Sequence, residues 1–216
     1  MSTSLDKMAA MDIQTQLELN KALVMHQCIA DQLAGSYSSD DRRALFAAFL
    51  SLAQSHHEAI LLLATRERLI GSAFALFRPM VEVAYRGLFA AFLATDREVE
   101  AIKIGKEPYP HFNELAADLD EAFKTNGLFK QFAGQSWKIL NGYTHGGLEQ
   151  LTRRIDQHGV LGDHFELQEV QNLLTSSTSL LTRTAIPFLN AVKHDNGADV
   201  ISLKFLELYP IAVQKK

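Results

Sequence analysis

The sequence is short of the residues that mark several common classes of protein. A single cysteine, Cys28, in 216 residues excludes a disulfide framework and any cysteine-rich zinc site, and it suits a reducing cytosol. Only five prolines and twelve glycines punctuate the chain, and the glycines fall mostly between apolar segments. No stretch alternates valine and threonine in the manner of a strand, and no repeat or low-complexity linker divides the chain. No uninterrupted apolar run reaches the roughly 20 residues that span a bilayer. The most apolar segment, 70–94, is broken by Arg78, Glu82 and Arg86, so it is expected to be a buried helix, not a membrane span. Residues Met1 to Ala10 show no basic segment followed by an apolar stretch, and a cytoplasmic location without a signal peptide is expected. The sequence also lacks GxxxxGK[ST], GxGxxG, GxSxG and HExxH patterns. The nearest serine pattern, Gly134-Gln135-Ser136-Trp137-Lys138, is missing its second glycine. The common nucleotide-binding and serine-hydrolase readings therefore fall away, and no cofactor is implied.

Against these absences stand 21 basic and 25 acidic residues, a formal net charge of −4. That balance argues against a broadly basic nucleic-acid coat and leaves room for a local basic pocket. A hydrophobic fraction of 47% excludes a disordered chain. A domain of this length buries roughly 70% of its unfolded surface and needs no staples.

The periodicity is helical almost throughout, which predicts one all-α domain, a bundle of about six to eight helices over residues 1–216. A first helix is expected from about Leu5 to Leu33, with Ile13, Leu17, Val24 and Cys28 on its apolar side. Asp40 and Asp41 supply capping charge for a second helix to about Thr65. The third, about Leu69 to Ala94, is apolar nearly all round and belongs in the centre. Shorter helices follow at about 96–104, 112–124, 128–140 and from the Gly142–Gly147 region to Ile155. Asp163 and Glu166 read as a capping box for a long helix to about Val192, which Pro187 should kink. Asn196-Gly197 reads as a turn, and Asp199 as the cap of a last helix.

Two segments carry candidate chemistry. In Arg78-Pro79-Met80-Val81-Glu82-Val83-Ala84-Tyr85-Arg86, residues four apart differ by only about 40° around a helix. Arg78, Glu82 and Arg86 thus form one charged stripe on an apolar helix. Such charges must be paired or meet a polar partner. One reading is a structural ladder in which Glu82 bridges two arginines; the other is a ligand or catalytic pocket. The second segment runs from Trp137 to Arg154. His145 stands there among Gly142, Gly146 and Gly147, where one helix ends and the next begins. His145, Glu149 and Arg153 are again four apart. If the stripes face one another, Arg78, Glu82, Arg86, Tyr143 and His145 converge, with Lys138, Glu149 and Arg153 as further binding residues. The competing reading keeps His145 as a helix cap.

A helical bundle with an E-x-x-x-R pair, Glu82 to Arg86, on a central helix and a histidine opening a later one resembles the HEPN superfamily (higher eukaryotes and prokaryotes nucleotide-binding). The family's main motif is an arginine, four to six residues, then a histidine. Lys138, a lysine, holds that spacing before His145, and Arg153 holds it before His158. The segment also resembles uncharacterised bacterial helical proteins with an R-P-x-x-E-x-x-x-R helix followed by Y-T-H-G. The resemblance, over roughly 70–154, implies metal-independent RNA cleavage or RNA binding in a bacterial defence or toxin–antitoxin system. It also implies a homodimer and a protein partner such as an antitoxin. It makes His145 the general acid or base, an imidazole's ordinary pKa suiting either role. Arg78 or Arg86 would stabilise the phosphate, and Glu82 would hold an arginine. The alternative is a non-enzymatic helical protein that binds a partner or a small anion.

Other candidates are weaker. Ser55-His56-His57-Glu58 holds metal-ligating types, but neighbouring histidines point about 100° apart on a helix, so only one can face a core, and no metal site is expected. Lys103, Lys106, Tyr109 and Phe112 have two readings, a lid over a pocket or, by default, an ordinary surface loop.

Overall fold

Asp12, Asp40 and Thr95 open the first, second and fourth helices, and the interhelical turns fall at glycines and capping side chains. The computed structural model describes residues 12–35, 40–66 and 69–210, and within 133–140 the backbone alone. Among these residues nine α-helices follow one another: α1 Ile13–Leu33, α2 Asp41–Ala64, α3 Ile70–Phe92, α4 Asp96–Lys103, α5 Phe112–Phe123, α6 Leu128–Thr144, α7 Leu148–Leu151, α8 Leu167–Ala191 and α9 Asp195–Leu208. No strand occurs among them; one isolated bridge pairs Ile155 with Leu161. The architecture is all-α, with more helices than the expected six to eight. No helix among the described residues is long and apolar enough to cross a membrane.

Capping chemistry sets the starts. The Asp40 carboxylate accepts from the Arg43 amide at 2.9 Å. Thr95 and Glu98 form a reciprocal capping box on α4. Arg42 reaches the end of α3, donating to the Ala94 carbonyl at 2.5 Å and to Asp96 at 2.6 Å, a cation where the helix dipole favours one. Between α5 and α6 the chain turns through Lys124 (φ 52°) and Gly127 (φ 87°). The Asp120 carboxylate, almost fully buried, closes that turn by accepting from the Phe129 and Lys130 amides at 2.9 and 2.8 Å.

α3 is the hub, packed on α2, α5, α6 and α8. Its Phe77, Met80, Val81, Ala84 and Leu88 enter a core shared with Met25, Phe46, Leu119, Leu181 and Phe188. A smaller core joins Leu19, Ala22, Leu61, Ile70 and Leu174. α3 approaches α2 closely at Gly87, where a Cβ would stand 2.8 Å from Phe49 Cβ.

Several sequence expectations are corrected. Most of the expected apolar side of α1 faces outward, with Ile13, Leu17 and Val24 82%, 48% and 47% exposed, while Cys28 on that side packs against the core and Leu19, Ala22, Met25 and Ile29 are buried. The cause is a polar seam: Thr15 and Glu18 are covered by α8, receiving hydrogen bonds from Gln171 (2.9 Å) and Thr175 (3.3 Å), which turns the apolar stripe away. Glu166, not Asp163, caps α8, because Asp163 is engaged by the Gly71 amide (3.1 Å) and by Arg154. Asn196 and Gly197 lie inside α9, whose cap is His194; the turn falls instead at Lys193 (φ 60°). Residues 5–11 of the expected first helix lie outside the described residues.

Of the two adjacent histidines, His57 alone enters the core, fully buried. Its Nε2 lies 3.1 Å from Thr178 Oγ1, whose hydroxyl donates to the Leu174 carbonyl at 2.7 Å. Thr178 oxygen therefore accepts, His57 carries its proton on Nε2, and His57 Nδ1 accepts from His26 Nδ1 at 3.0 Å. Burial, and secondarily His26, pull the His57 pKa down to about 3.

Two expectations follow from this packing. Gly87→Ala should lose about 1–3 kcal/mol by overpacking the α2–α3 contact, read as a thermal midpoint several degrees lower; an unchanged midpoint contradicts the close approach. Because His57 is held neutral, its contribution to stability is complete above the free imidazole value of about 6.5 and is lost as pH falls from there toward about 3. Urea midpoints should thus fall between pH 7.5 and 5.0, less steeply in His57→Asn; equal slopes in the two proteins contradict a buried neutral imidazole.

Candidate functional site

The site begins with a missing hydrogen. Pro79 sits inside α3 and has no N–H, so the Ala75 carbonyl, four residues earlier, has no helical donor. The Thr144 hydroxyl donates to that oxygen at 3.3 Å. Thr144 is the last residue of α6, and this bond pins the end of α6 against the middle of α3. His145 follows as the C-cap, its amide on the Asn141 carbonyl at 3.0 Å. The chain then reverses through Gly146 (φ 64°), and the Gly147 amide returns to the Gly142 carbonyl at 2.6 Å. A Cβ on Gly147 would stand 2.8 Å from Gly142 Cα, so only glycine allows the reversal.

This places the His145 ring on Arg78, with Arg78 Nη1 2.6 Å from His145 Nε2. A guanidinium has no acceptor, so it donates, and His145 presents a lone pair on Nε2. Behind it, Arg78 Nε and Nη2 both engage Glu82 Oε1, at 3.1 and 3.0 Å. A chain of three groups runs from carboxylate to guanidinium to imidazole. The Arg78 and Glu82 side chains are 19% and 28% exposed and His145 is open to solvent, so the partly desolvated pair orients an accessible imidazole.

Glu82 does not bridge the two arginines in the predicted ladder. Arg86 instead reaches Glu107 at 3.5 Å and lies over the Tyr109 ring, 4.7 Å from its centre. The bend of the 105–110 loop across α3 supplies this competing partner. Glu82 and Arg86 do line one cavity, of about 90 Å³, with Tyr109, Pro110, Phe112 and Leu115. Of the expected lid residues, Tyr109 and Phe112 are therefore at the site, whereas Lys103 turns to Asp41 and Glu100, at 2.7 and 2.9 Å.

The remaining candidates are placed around this centre. Tyr143 is buried in a stack of three rings, 4.9 Å from Phe74, which is 4.9 Å from Phe165. Burial pushes its hydroxyl pKa up. Arg153 pairs with Glu169 and lies over the Phe165 ring. Glu149 packs on Gly142, where any side chain would overlap its carboxylate. The stripe of His145, Glu149 and Arg153 does not form on one helix, because the reversal at Gly146 and Gly147 separates α6 from the four-residue α7. Arg153 and His158 form no matched pair: His158 is exposed, with its amide on Asp156. The Lys138 side chain lies outside the described residues. No group of three or more histidine, cysteine, aspartate or glutamate side chains among the described residues is placed to share a metal ion. Sequence reasoning missed Thr144 and Glu107. The proline in the centre of α3 was the available signal for the first, since it always leaves a carbonyl to be satisfied; Glu107 left none.

A family profile matches residues 50–201, well over half of the chain. The chain belongs to the DUF6988 family. That family is described as one of unknown function, and the match takes in α3, the Thr144–Gly147 reversal and all of α8, while α1 lies outside it. No curated protein and no solved structure matches the chain.

The geometry predicts that Thr144→Val frees the end of α6 and loosens His145 from Arg78. Imidazole ¹⁵N spectra of the variant should show Nε2 of His145 losing its guanidinium donor while the fold is kept. An unchanged Nε2 resonance contradicts the role given to Thr144.

Proposed function

We propose that this DUF6988 protein cleaves RNA without a metal ion at the Glu82–Arg78–His145 chain, as the HEPN resemblance implies. The observation that carries the reading is the 2.6 Å contact between a carboxylate-held guanidinium and an exposed imidazole. An RNA phosphate entering beside Arg78 takes over Nη1 and releases the His145 lone pair. Nε2 then removes the proton from a ribose 2′-OH, and the 2′-oxygen attacks the adjacent phosphorus. A P–O2′ bond forms and the P–O5′ bond breaks, leaving a 2′,3′-cyclic phosphate and a 5′-hydroxyl that takes up a proton. Arg78 faces the charge that develops on the phosphate oxygens, and Glu82 keeps its fork oriented. Arg86, on the next turn, adds positive potential. In this reading the protein acts as a homodimer in a bacterial defence or toxin–antitoxin setting, restrained by a protein partner.

The test is RNA incubated with the purified full chain in EDTA. The expected result is a ladder ending in cyclic phosphate, with His145→Ala and Arg78→Ala each losing on the order of 10²–10⁴-fold in rate at unchanged helicity. Cleavage that survives His145→Ala removes the imidazole from the mechanism. A wild type that cleaves no RNA, together with a large loss of stability in Glu82→Ala, favours the alternative of a structural ion pair in an anion- or partner-binding protein; that alternative draws on Glu82 occupying two of the three Arg78 nitrogens.

A further inference from the structure

We infer that Arg78 and His145 form a proton-coupled site for a terminal phosphate monoester, which enters between guanidinium and imidazole while His145 takes up one proton from solvent. It is the site of the RNA reading above, and the inference rests on that reading for its consequence, a brake on cleavage. The contact of Arg78 Nη1 with His145 Nε2, at 2.6 Å, has a fixed polarity. A guanidinium is always charged and only donates, so the contact exists only while Nε2 is unprotonated. A proton on Nε2 sets two cations against each other, and they part unless an anion comes between them. The dianion of a phosphate monoester is such an anion. One of its oxygens replaces Nε2 as acceptor for Nη1, and a second accepts from the imidazolium, both bonds being charge-assisted. The bound state therefore holds one proton more than the empty one, with no bond between heavy atoms changed. In RNA the 2′-OH offers a proton to the released lone pair; the monoester dianion has none to give, so water supplies it.

The frame suits an anion arriving from solvent. His145 is exposed, and the backbone on either side of it is tied, by Thr144 to the Ala75 carbonyl and by the Gly147 amide to Gly142, so that the ring can turn without moving the chain. Glu82 engages Arg78 through Nε and Nη2, which keeps Nη1 directed at the imidazole. The charges around the ring come from several elements. Arg78 meets it from α3 with Glu82 behind; Glu149 of α7 packs on Gly142, and Arg153, just past α7, is engaged by Glu169 of α8. With a neutral imidazole the centre holds one cation against the Glu82 carboxylate; with a protonated one it holds two, so the proton raises the attraction for a dianion. A protonated His145 has no lone pair for a 2′-OH, and a bound terminal phosphate thus holds the site inactive, more firmly as pH falls.

The experiment titrates sulfate, a tetrahedral dianion that does not itself titrate near neutral pH, into the full-length protein at constant ionic strength. Imidazole ¹⁵N spectra at pH 7.5 should show His145 Nε2 gaining a proton as sulfate is added, and methyl phosphate should compete with the sulfate. The sulfate dissociation constant should be about tenfold lower at pH 6.0 than at pH 8.5, by the reciprocity of proton and anion binding. Of two variants checked for unchanged helicity, His145→Gln should lose that pH dependence and Arg78→Gln should bind sulfate about tenfold more weakly. No sulfate binding, binding that leaves Nε2 unprotonated, equal affinity at the two pH values, a pH dependence kept in His145→Gln, undiminished binding in Arg78→Gln or no competition from methyl phosphate overturns the inference. A wild type that cleaves RNA but binds sulfate without taking up a proton removes this inference and leaves the cleavage reading standing. Proton-coupled sulfate binding by a protein that cleaves no RNA sinks the cleavage reading and upholds the phosphate site.

Discussion

The hydrogen bond from the Thr144 hydroxyl to the Ala75 carbonyl is the constraint on which the candidate site depends. A helix buried on several sides has little tolerance for an orphan carbonyl. Pro79 creates one in the middle of the most central helix, and the Thr144 hydroxyl at the end of α6 reaches it. Once that end is fixed, the position of the next residue is set by a C-cap geometry and by a glycine reversal that doubles the backbone onto Gly142. His145 then has one place to go. A feature that weakens α3 locally is thereby converted into a docking point for the end of α6.

The same helix carries the charge that the imidazole meets. Arg78, Glu82 and Arg86 share a face of a helix whose other faces are apolar, yet none is fully buried. Partial exposure lowers the desolvation cost, and ion pairing offsets what remains. Glu82 is committed to Arg78, which fixes the fork; Arg86 is committed to the loop, through Glu107 and Tyr109. The two arginines therefore serve different neighbourhoods, one beside the imidazole and one lining a small cavity, with Glu82 common to both.

Much of the fold was legible because Asp40 and Asp41 mark the start of α2, α3 is apolar nearly all round, and helical periodicity marks the shorter elements. The polar stripe on α3 and its meeting with His145 were legible for the same reason: charges four apart on an apolar helix require partners, and a histidine among glycines lies where backbone can approach closely. What escaped was settled by contacts between distant segments. The buried face of α1 follows from Gln171 and Thr175 claiming Thr15 and Glu18, which no local pattern reveals. Asp163 reads locally as a cap, but Gly71 and Arg154 claim it first. Glu107 stands in a loop whose path depends on two prolines and on the docking of Tyr109 and Phe112, so its capture of Arg86 was invisible until the chain was folded.

The most direct measurement is a double-mutant cycle on Arg78 and His145, read as the rate of RNA cleavage in EDTA. If guanidinium and imidazole act as one unit, Arg78→Ala, His145→Ala and the double variant lose nearly the same rate, since removing either member disables the other. Losses that multiply, each residue contributing independently of the other, would contradict the account.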